Sequence, residues 1–172
     1  MITVDHPVVV RPSNTSTFMK LTTLLLIAVA CLVGALLKYP VIAILIVPIV
    51  LAMVYLLALS KNARVEVSET SVTFMGAFGK KQVLLSDIYK VAKVKKFWIP
   101  NGTGIETHQA VVFIGTDGQL PGLVWSGQYT KQSLDDLFLA FSPEAKVEFD
   151  AARTASLKIW FLEQKESQHA TK

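Results

Sequence analysis

LTTLLLIAVACLVGALL (21–37), KYP (38–40) and VIAILIVPIVLAMVYLLAL (41–59) form two long apolar runs separated by three residues. An α-helix rises about 1.5 Å per residue and a bilayer core is about 30 Å thick. Runs of 17 and 19 residues therefore approach a full span. Because so short a connection favours an antiparallel pair, the sequence predicts a two-span transmembrane hairpin with helices at 18–37 and 41–59.

Two alternatives to a transmembrane hairpin remain open: a pair of buried helices in a soluble protein, and a cleavable signal peptide. A helix of a soluble protein usually carries a polar stripe, and residues 41–59 contain no charged side chain. A signal peptide is not expected to be followed at once by a second apolar run. Both observations favour the hairpin.

The flanking charges predict the orientation of this hairpin. Arg11 and Lys20 precede it, Lys61 and Arg64 follow it, and Lys38 alone lies between the runs. By the positive-inside rule, both termini and the domain that follows are expected in the cytoplasm.

Beyond residue 60 the apolar pattern changes to a period of two, which is typical of strands. Strands are predicted at 63–67, 72–75, 80–85, 88–96, 109–114 and 120–125, and an amphipathic helix at 130–141. The expected domains are a tail (1–17), the hairpin (18–59), a β domain (61–142) and a helical C-terminal extension (143–172). Within the tail, PVVVRP (7–12) is either loosely ordered or adds to a sheet edge.

The segment VEVSETSVTFMGAFGKKQVLLSDIYKV (65–91) resembles the opening of bacterial pleckstrin-homology-like domains. Ser86-Asp87-Ile88 matches the step by which that family enters its next strand, and the resemblance covers roughly residues 61–142. It implies an all-β barrel capped by a C-terminal helix, often preceded by one or two spans. With the hairpin, the expectation is a multi-pass protein of the bacterial plasma membrane.

Composition and motifs argue against several functional classes. Residues 60–100 carry eight basic and three acidic side chains, whereas residues 101–172 carry six and nine, so the chain is not basic throughout as nucleic-acid binders often are. Cys31 is the one cysteine, and no Cys/His pair has the spacing of metal ligands. We therefore expect no enzyme, cofactor, metal, nucleic acid or small-molecule substrate.

Two groups of side chains are candidates for binding. Lysines near the predicted membrane are expected to contact anionic lipid; they are Lys80, Lys81, Lys90, Lys93, Lys95 and Lys96. Large apolar side chains of one loop and of the C-terminal extension are expected to contact a protein partner; they are Phe97, Trp98, Ile99, Leu157, Trp160 and Phe161. For Phe97-Trp98-Ile99, packing beneath the barrel and contact with the membrane interface are the alternatives.

These features predict a non-enzymatic integral membrane protein that presents a cytoplasmic interaction module. It is expected to be an accessory, scaffold or assembly subunit of a larger respiratory, transport or envelope-synthesis complex, with other integral membrane proteins as partners. The alternative is a membrane-surface module that binds anionic lipid headgroups through its lysines.

Overall fold

The computed structural model describes the backbone of residues 2–36, 44–101 and 104–170. Side chains are described over the same ranges apart from residues 14–17, 35–36, 99–101, 104–106 and 169–170. The chain divides into two compact units. The β unit comprises Met1–Arg11, Val65–Phe74 and Lys81–Lys172, and the helical unit comprises Pro12–Arg64 and Met75–Lys80.

One four-stranded sheet is built from consecutive strands in the order β1-β2-β3-β4. Its strands are β1 (Val8–Val10), β2 (Arg64–Val67), β3 (Ser71–Met75) and β4 (Lys80–Leu84). β1 pairs antiparallel with β2, with Val9 opposite Glu66. Of the two alternatives for the N-terminal tail, the structure has the edge strand, and Val4 adds an isolated bridge to Phe141.

The second sheet has the order β7-β6-β5-β8 and carries the longest strands. Its strands are β5 (Ile88–Asn101), β6 (Gly104–Gly115), β7 (Gly122–Trp125) and β8 (Lys146–Ala152). β8 runs parallel to β5, and such pairing needs a long crossover connection. That crossover contains helix α3 (Lys131–Leu139), and helix α4 (Thr154–Ala170) follows β8.

The second sheet is covered on both faces, which explains the apolar run Ala110–Ile114 in β6. Val111 and Phe113 belong to the cluster that includes the first sheet and α3. Val112 and Ile114 belong to a second cluster that includes Leu157 of α4. A strand buried on both faces loses the usual polar alternation, so β6 reads as continuously apolar.

The turn chemistry of the β unit is local and specific. Gly118 has φ = 76°, in the left-handed region that favours glycine, and its amide donates to the Gly115 carbonyl. At the start of α3 the Thr130 side chain accepts a hydrogen bond from the Ser133 amide at 3.1 Å, which caps the helix.

The barrel expected from the pleckstrin-homology-like resemblance is wrong, because neither sheet closes into a barrel. β1 and β4 are the edges of the first sheet, and β7 and β8 are the edges of the second. Closure needs strand pairing across such edges, and no named strand in the described ranges pairs across them. The chain instead forms two separate sheets.

The sequence predicts a helical extension over residues 143–172. The structure differs, because only part of this extension is helical. Pro143–Ala145 forms one 3₁₀ turn, and Lys146–Ala152 continues as β8. Pairing with β5 places Phe149 opposite Val94. Helix α4 begins only at Thr154. The residues before it form β8 because they hydrogen-bond to the edge of β5, which would otherwise be unpaired.

The helical unit contains α1 (Asn14–Leu36) and α2 (Ile46–Asn62), which contact each other. Among the described residues, no helix combines the length and the apolarity needed to cross a membrane. The predicted spans 18–37 and 41–59 are therefore wrong, and with them the transmembrane and membrane assignments and the multi-pass plasma-membrane location. The predicted connection 38–40 lies outside the described residues.

The lengths of the two helices give the physical reason. α2 has 17 residues, which rise about 26 Å, short of the roughly 30 Å of a bilayer core. α1 has 23 residues, but seven of its first ten are polar. Its described apolar part, Leu24–Leu36, rises about 20 Å. Within the polar part, the Thr22 hydroxyl donates to the Phe18 carbonyl at 3.0 Å.

Tyr129 belongs to the core cluster that includes the first sheet and α3, and it is 7% exposed. Burial raises the pKa of Tyr129 to about 12, from the usual value of about 10 for a tyrosine side chain. The folded state thus prefers neutral tyrosine, and the stability present below pH 10 falls as the pH rises from 10 towards 12. The full difference is about 3 kcal/mol, since one pKa unit corresponds to about 1.36 kcal/mol.

We expect Tyr129→Phe to remove this alkaline loss of stability. Denaturant unfolding of the wild type and the variant between pH 8 and pH 11.5 measures it, with the free energy of unfolding of the wild type falling more steeply above pH 10. Parallel pH profiles for the two proteins would show that Tyr129 does not ionise with an altered pKa in the folded state.

Candidate interaction surfaces

The most extensive exposed apolar surface described lies on α1 and α2, and we call it the helical apolar surface. Fourteen large apolar side chains, eight on α1 and six on α2, are 46–70% exposed. They are Phe18, Met19, Leu25, Leu26, Ile27, Val29, Leu32, Val33, Val47, Val50, Leu51, Val54, Tyr55 and Leu57. No described residue of α2 is buried. Soluble monomers rarely expose contiguous apolar patches larger than a few hundred Å².

A regular spacing explains why so much of each helix is exposed. The half-buried positions of α1 recur at intervals of three and four residues, and α2 contains a series of half-buried positions with the same spacing. They include Leu21, Leu24, Ala28 and Cys31 on α1, and Ile46, Ile49, Met53 and Leu56 on α2. This is the spacing of one helix face. Because neither helix carries a polar stripe opposite that face, the remaining circumference is apolar and exposed.

The end of α2 is held by the turn between β3 and β4. The Asn62 side-chain amide donates to the Ala77 carbonyl at 3.0 Å, and the rings of Tyr55 and Phe78 lie 5.9 Å apart. The Gly76 amide donates to the Gly79 carbonyl at 2.8 Å, which closes the turn. Phe78 remains 76% exposed and extends the apolar character of the helical unit to this end.

The six lysines predicted to contact lipid are distributed over both units. Lys80 belongs to the helical unit, and the other five belong to the β unit. Lys81 donates to the Pro121 carbonyl at 2.7 Å, and Lys90 donates to the Glu144 carbonyl. Lys96 is exposed.

Two of these lysines form ion pairs within the β unit. Lys93 lies 2.8 Å from Asp135, and Lys95 lies 2.8 Å from Asp150. The hydrogen bond to Asp150 raises the pKa of Lys95, and the same bond lowers the pKa of Asp150. Since their own chain occupies four of the six ammonium groups, the lysines are a weaker candidate surface than the helical apolar surface.

The predicted partner-binding residues divide between core and surface. Phe97, Leu157 and Phe161 are buried in the second core cluster. Their side chains therefore hold α4 on the sheet. The side chain of Ile99 lies outside the described set.

The two predicted tryptophans are only partly covered. The Arg153 guanidinium lies 5.0 Å from the ring centroid of Trp98. Trp160 contacts Phe149 edge to face, with centroids 5.4 Å apart. Ile159 and Leu162 flank Trp160 along α4 and are 56% and 57% exposed. This smaller patch adds two residues that the sequence analysis did not single out.

A groove of about 440 Å³ lies in the β unit. Tyr89, Lys90, Thr116, Glu144 and Gln168 contribute to its lining. The Gln168 amide donates to the Tyr89 hydroxyl at 3.1 Å, and the Lys90 ammonium is held by a carbonyl. Both contacts join groups of the chain itself.

No group of three or more His, Cys, Asp or Glu side chains within the described ranges is placed to hold a metal ion. The expectations of no metal, no cofactor and no catalysis stay predictions.

Comparison with known proteins finds no matching family model, no matching curated protein and no matching solved structure. The resemblance to bacterial pleckstrin-homology-like domains stays a prediction, and function has to be argued from the surfaces themselves.

Proposed function

We propose that this chain is a non-enzymatic accessory or scaffold subunit that joins a larger assembly through the helical apolar surface. The observation that supports this proposal is the set of fourteen exposed apolar side chains on α1 and α2. Burial of apolar area contributes roughly 25 cal/mol per Å², so such a surface strongly favours association with another apolar surface.

The two units have complementary roles in this proposal. The β unit has two core clusters of its own, and Val72, Val91 and Phe113 in the first of them are completely buried. It therefore does not depend on a partner to bury its central side chains. The helical unit has the opposite character, because no described residue of α2 reaches full burial. Attachment is the role of the helical unit, and the β unit is the part presented.

Charge supports the same division of roles. The described part of α1 from Leu21 to Gly34 contains no charged side chain, nor does α2 from Ile46 to Leu59. Interface cores are depleted in charged residues, whereas rims are polar. Lys20 and Lys61 lie just outside these stretches, where a rim is expected.

The test is isolation of the full chain from its source cells and identification of co-purifying proteins. We expect a stoichiometric partner with the wild type, scored whether it is another protein or an untagged copy of this chain, and its loss with the double variant Leu26→Lys, Leu51→Lys. These side chains are 66% and 64% exposed, so the substitutions leave the β-unit core untouched. An interfacial lysine introduces an unpaired charge, which lowers the affinity by at least tenfold.

The matched control is Leu139→Lys on α3, where a leucine is 57% exposed in the β unit. It is expected to retain every partner. Equal loss of partners from Leu139→Lys and from the double variant would refute the assignment to the helices. So would partners that persist in the double variant.

A further inference from the structure

We infer that the occupant of the helical apolar surface is a second copy of the same chain, so that two α1–α2 pairs pack into a four-helix bundle. This inference rests on the proposed function and names the partner for that surface. It would make the protein a dimeric scaffold that carries two β units.

The size of the surface fits a dimer. At about 90 Å² for a whole apolar side chain, fourteen half-exposed side chains present roughly 700 Å². A stable protein interface buries about 800 Å² on each partner. The helical apolar surface therefore offers nearly the area of one side of a standard interface, and a bundle buries the part of it that faces the second copy.

The pattern on each helix also fits a bundle. The three- and four-residue spacing of the half-buried positions is that of helices packed at a small angle, as in coiled coils and four-helix bundles. One such pair leaves each helix covered on a single side. Two pairs facing each other give each helix a second neighbour, which covers part of the exposed circumference of both helices.

Charge permits self-association. A two-fold interface brings the same patch of both copies together, so like charges within the patch would repel. The described patch between Leu21 and Gly34, and between Ile46 and Leu59, contains none. Its polar groups are few and are bonded locally, as with the Thr23 hydroxyl, which donates to the Met19 carbonyl at 3.0 Å.

The first experiment measures the mass of the purified full chain at micromolar concentration by sedimentation equilibrium, in buffer and in mild detergent. We expect a dimer for the wild type and for Leu139→Lys. For Leu26→Lys, Leu51→Lys we expect a monomer, with at least a tenfold higher dissociation constant. A wild-type monomer in buffer, or a monomer whose helices are covered by bound detergent, would overturn the inference.

The second experiment places the interface and does not depend on those variants folding. Cys31 is the chain's one cysteine, so Cys31→Ser gives a cysteine-free background. In that background Val29→Cys, at a position 51% exposed on α1, is expected to cross-link two copies with a short bismaleimide. Ile159→Cys, at a position 56% exposed on α4, is the matched control and is expected to stay uncross-linked. Equal cross-linking at both positions would contradict a bundle at the helices.

The outcomes separate this inference from the proposed function. A monomeric chain that still binds other proteins through α1 and α2 overturns the second copy and leaves the accessory role intact. A monomeric chain that recovers no partner, whether or not the lysines are introduced, overturns both.

Discussion

Phe113→Ala is expected to lower the free energy of unfolding of the β unit by about 3–5 kcal/mol, the usual cost of truncating a buried phenylalanine. Phe113 is completely buried in the middle of β6. Its ring lies 5.3 Å from the ring of Phe74 on the first sheet and 5.8 Å from that of Phe141, both in edge contacts. Such contacts contribute beyond the area they bury.

The loss of stability follows from how tightly this region is packed. Phe74 lies so close to Gly122 that a Cβ at that glycine would stand 2.0 Å from the end of the ring. The aromatic rings therefore have little freedom to move into the space left by Phe113, and a cavity remains. Its lining loses contacts that water cannot replace.

Denaturant-induced unfolding measures this effect. Leu139→Ala on α3 is the control, because its side chain is 57% exposed and should change the free energy of unfolding by less than about 0.5 kcal/mol. A loss below about 1 kcal/mol for Phe113→Ala would mean that the two sheets are not joined through this residue.

Much of the β unit can be predicted from sequence, because most of its strands have a recognisable local pattern of alternating apolar residues. The predicted strands at 72–75 and 80–85 correspond to Ser71–Met75 and Lys80–Leu84, and the predicted helix at 130–141 corresponds to Lys131–Leu139. Period-two alternation and turn residues are enough to place elements of this kind. They do not place partners, and β8 shows why. KVEFDAA (146–152) becomes a strand only because the distant β5 pairs with it.

The candidate surface is predictable in part. Residues 41–59 lack a polar stripe, so α2 must be apolar on any side that this stretch exposes. In the structure the large exposed side chains of α2 from Ile46 to Leu59 are indeed apolar. Sequence alone could not say where the helices end or what covers them. The other predicted contacts depended on tertiary pairing. Lys93 meets Asp135 across 42 positions of sequence, and Leu157 packs on a sheet whose β5–β8 pairing no local pattern indicates.

The stability of the Leu157→Ala variant tests whether α4 is part of the fold or a docking helix for a partner, and a large loss is expected. Leu157 is completely buried and Phe161 is 3% exposed, and both pack against β5 and β6 side chains such as Val94 and Ile114. If α4 is part of the fold, Leu157→Ala costs about 2–5 kcal/mol of unfolding free energy. If α4 is a docking helix for a partner, the isolated chain loses little stability.

Ile159→Ala provides the matched comparison on the same helix, because Ile159 is 56% exposed. We expect it to change stability by less than about 0.5 kcal/mol. Thermal or denaturant unfolding of the two variants, measured on the full chain, gives the difference. Similarly small losses of stability for both variants would support the partner-binding role that the sequence predicts for Leu157 and Phe161. A large difference assigns them to the core and leaves Trp160, with Ile159 and Leu162 beside it, as the part of α4 that a partner can reach.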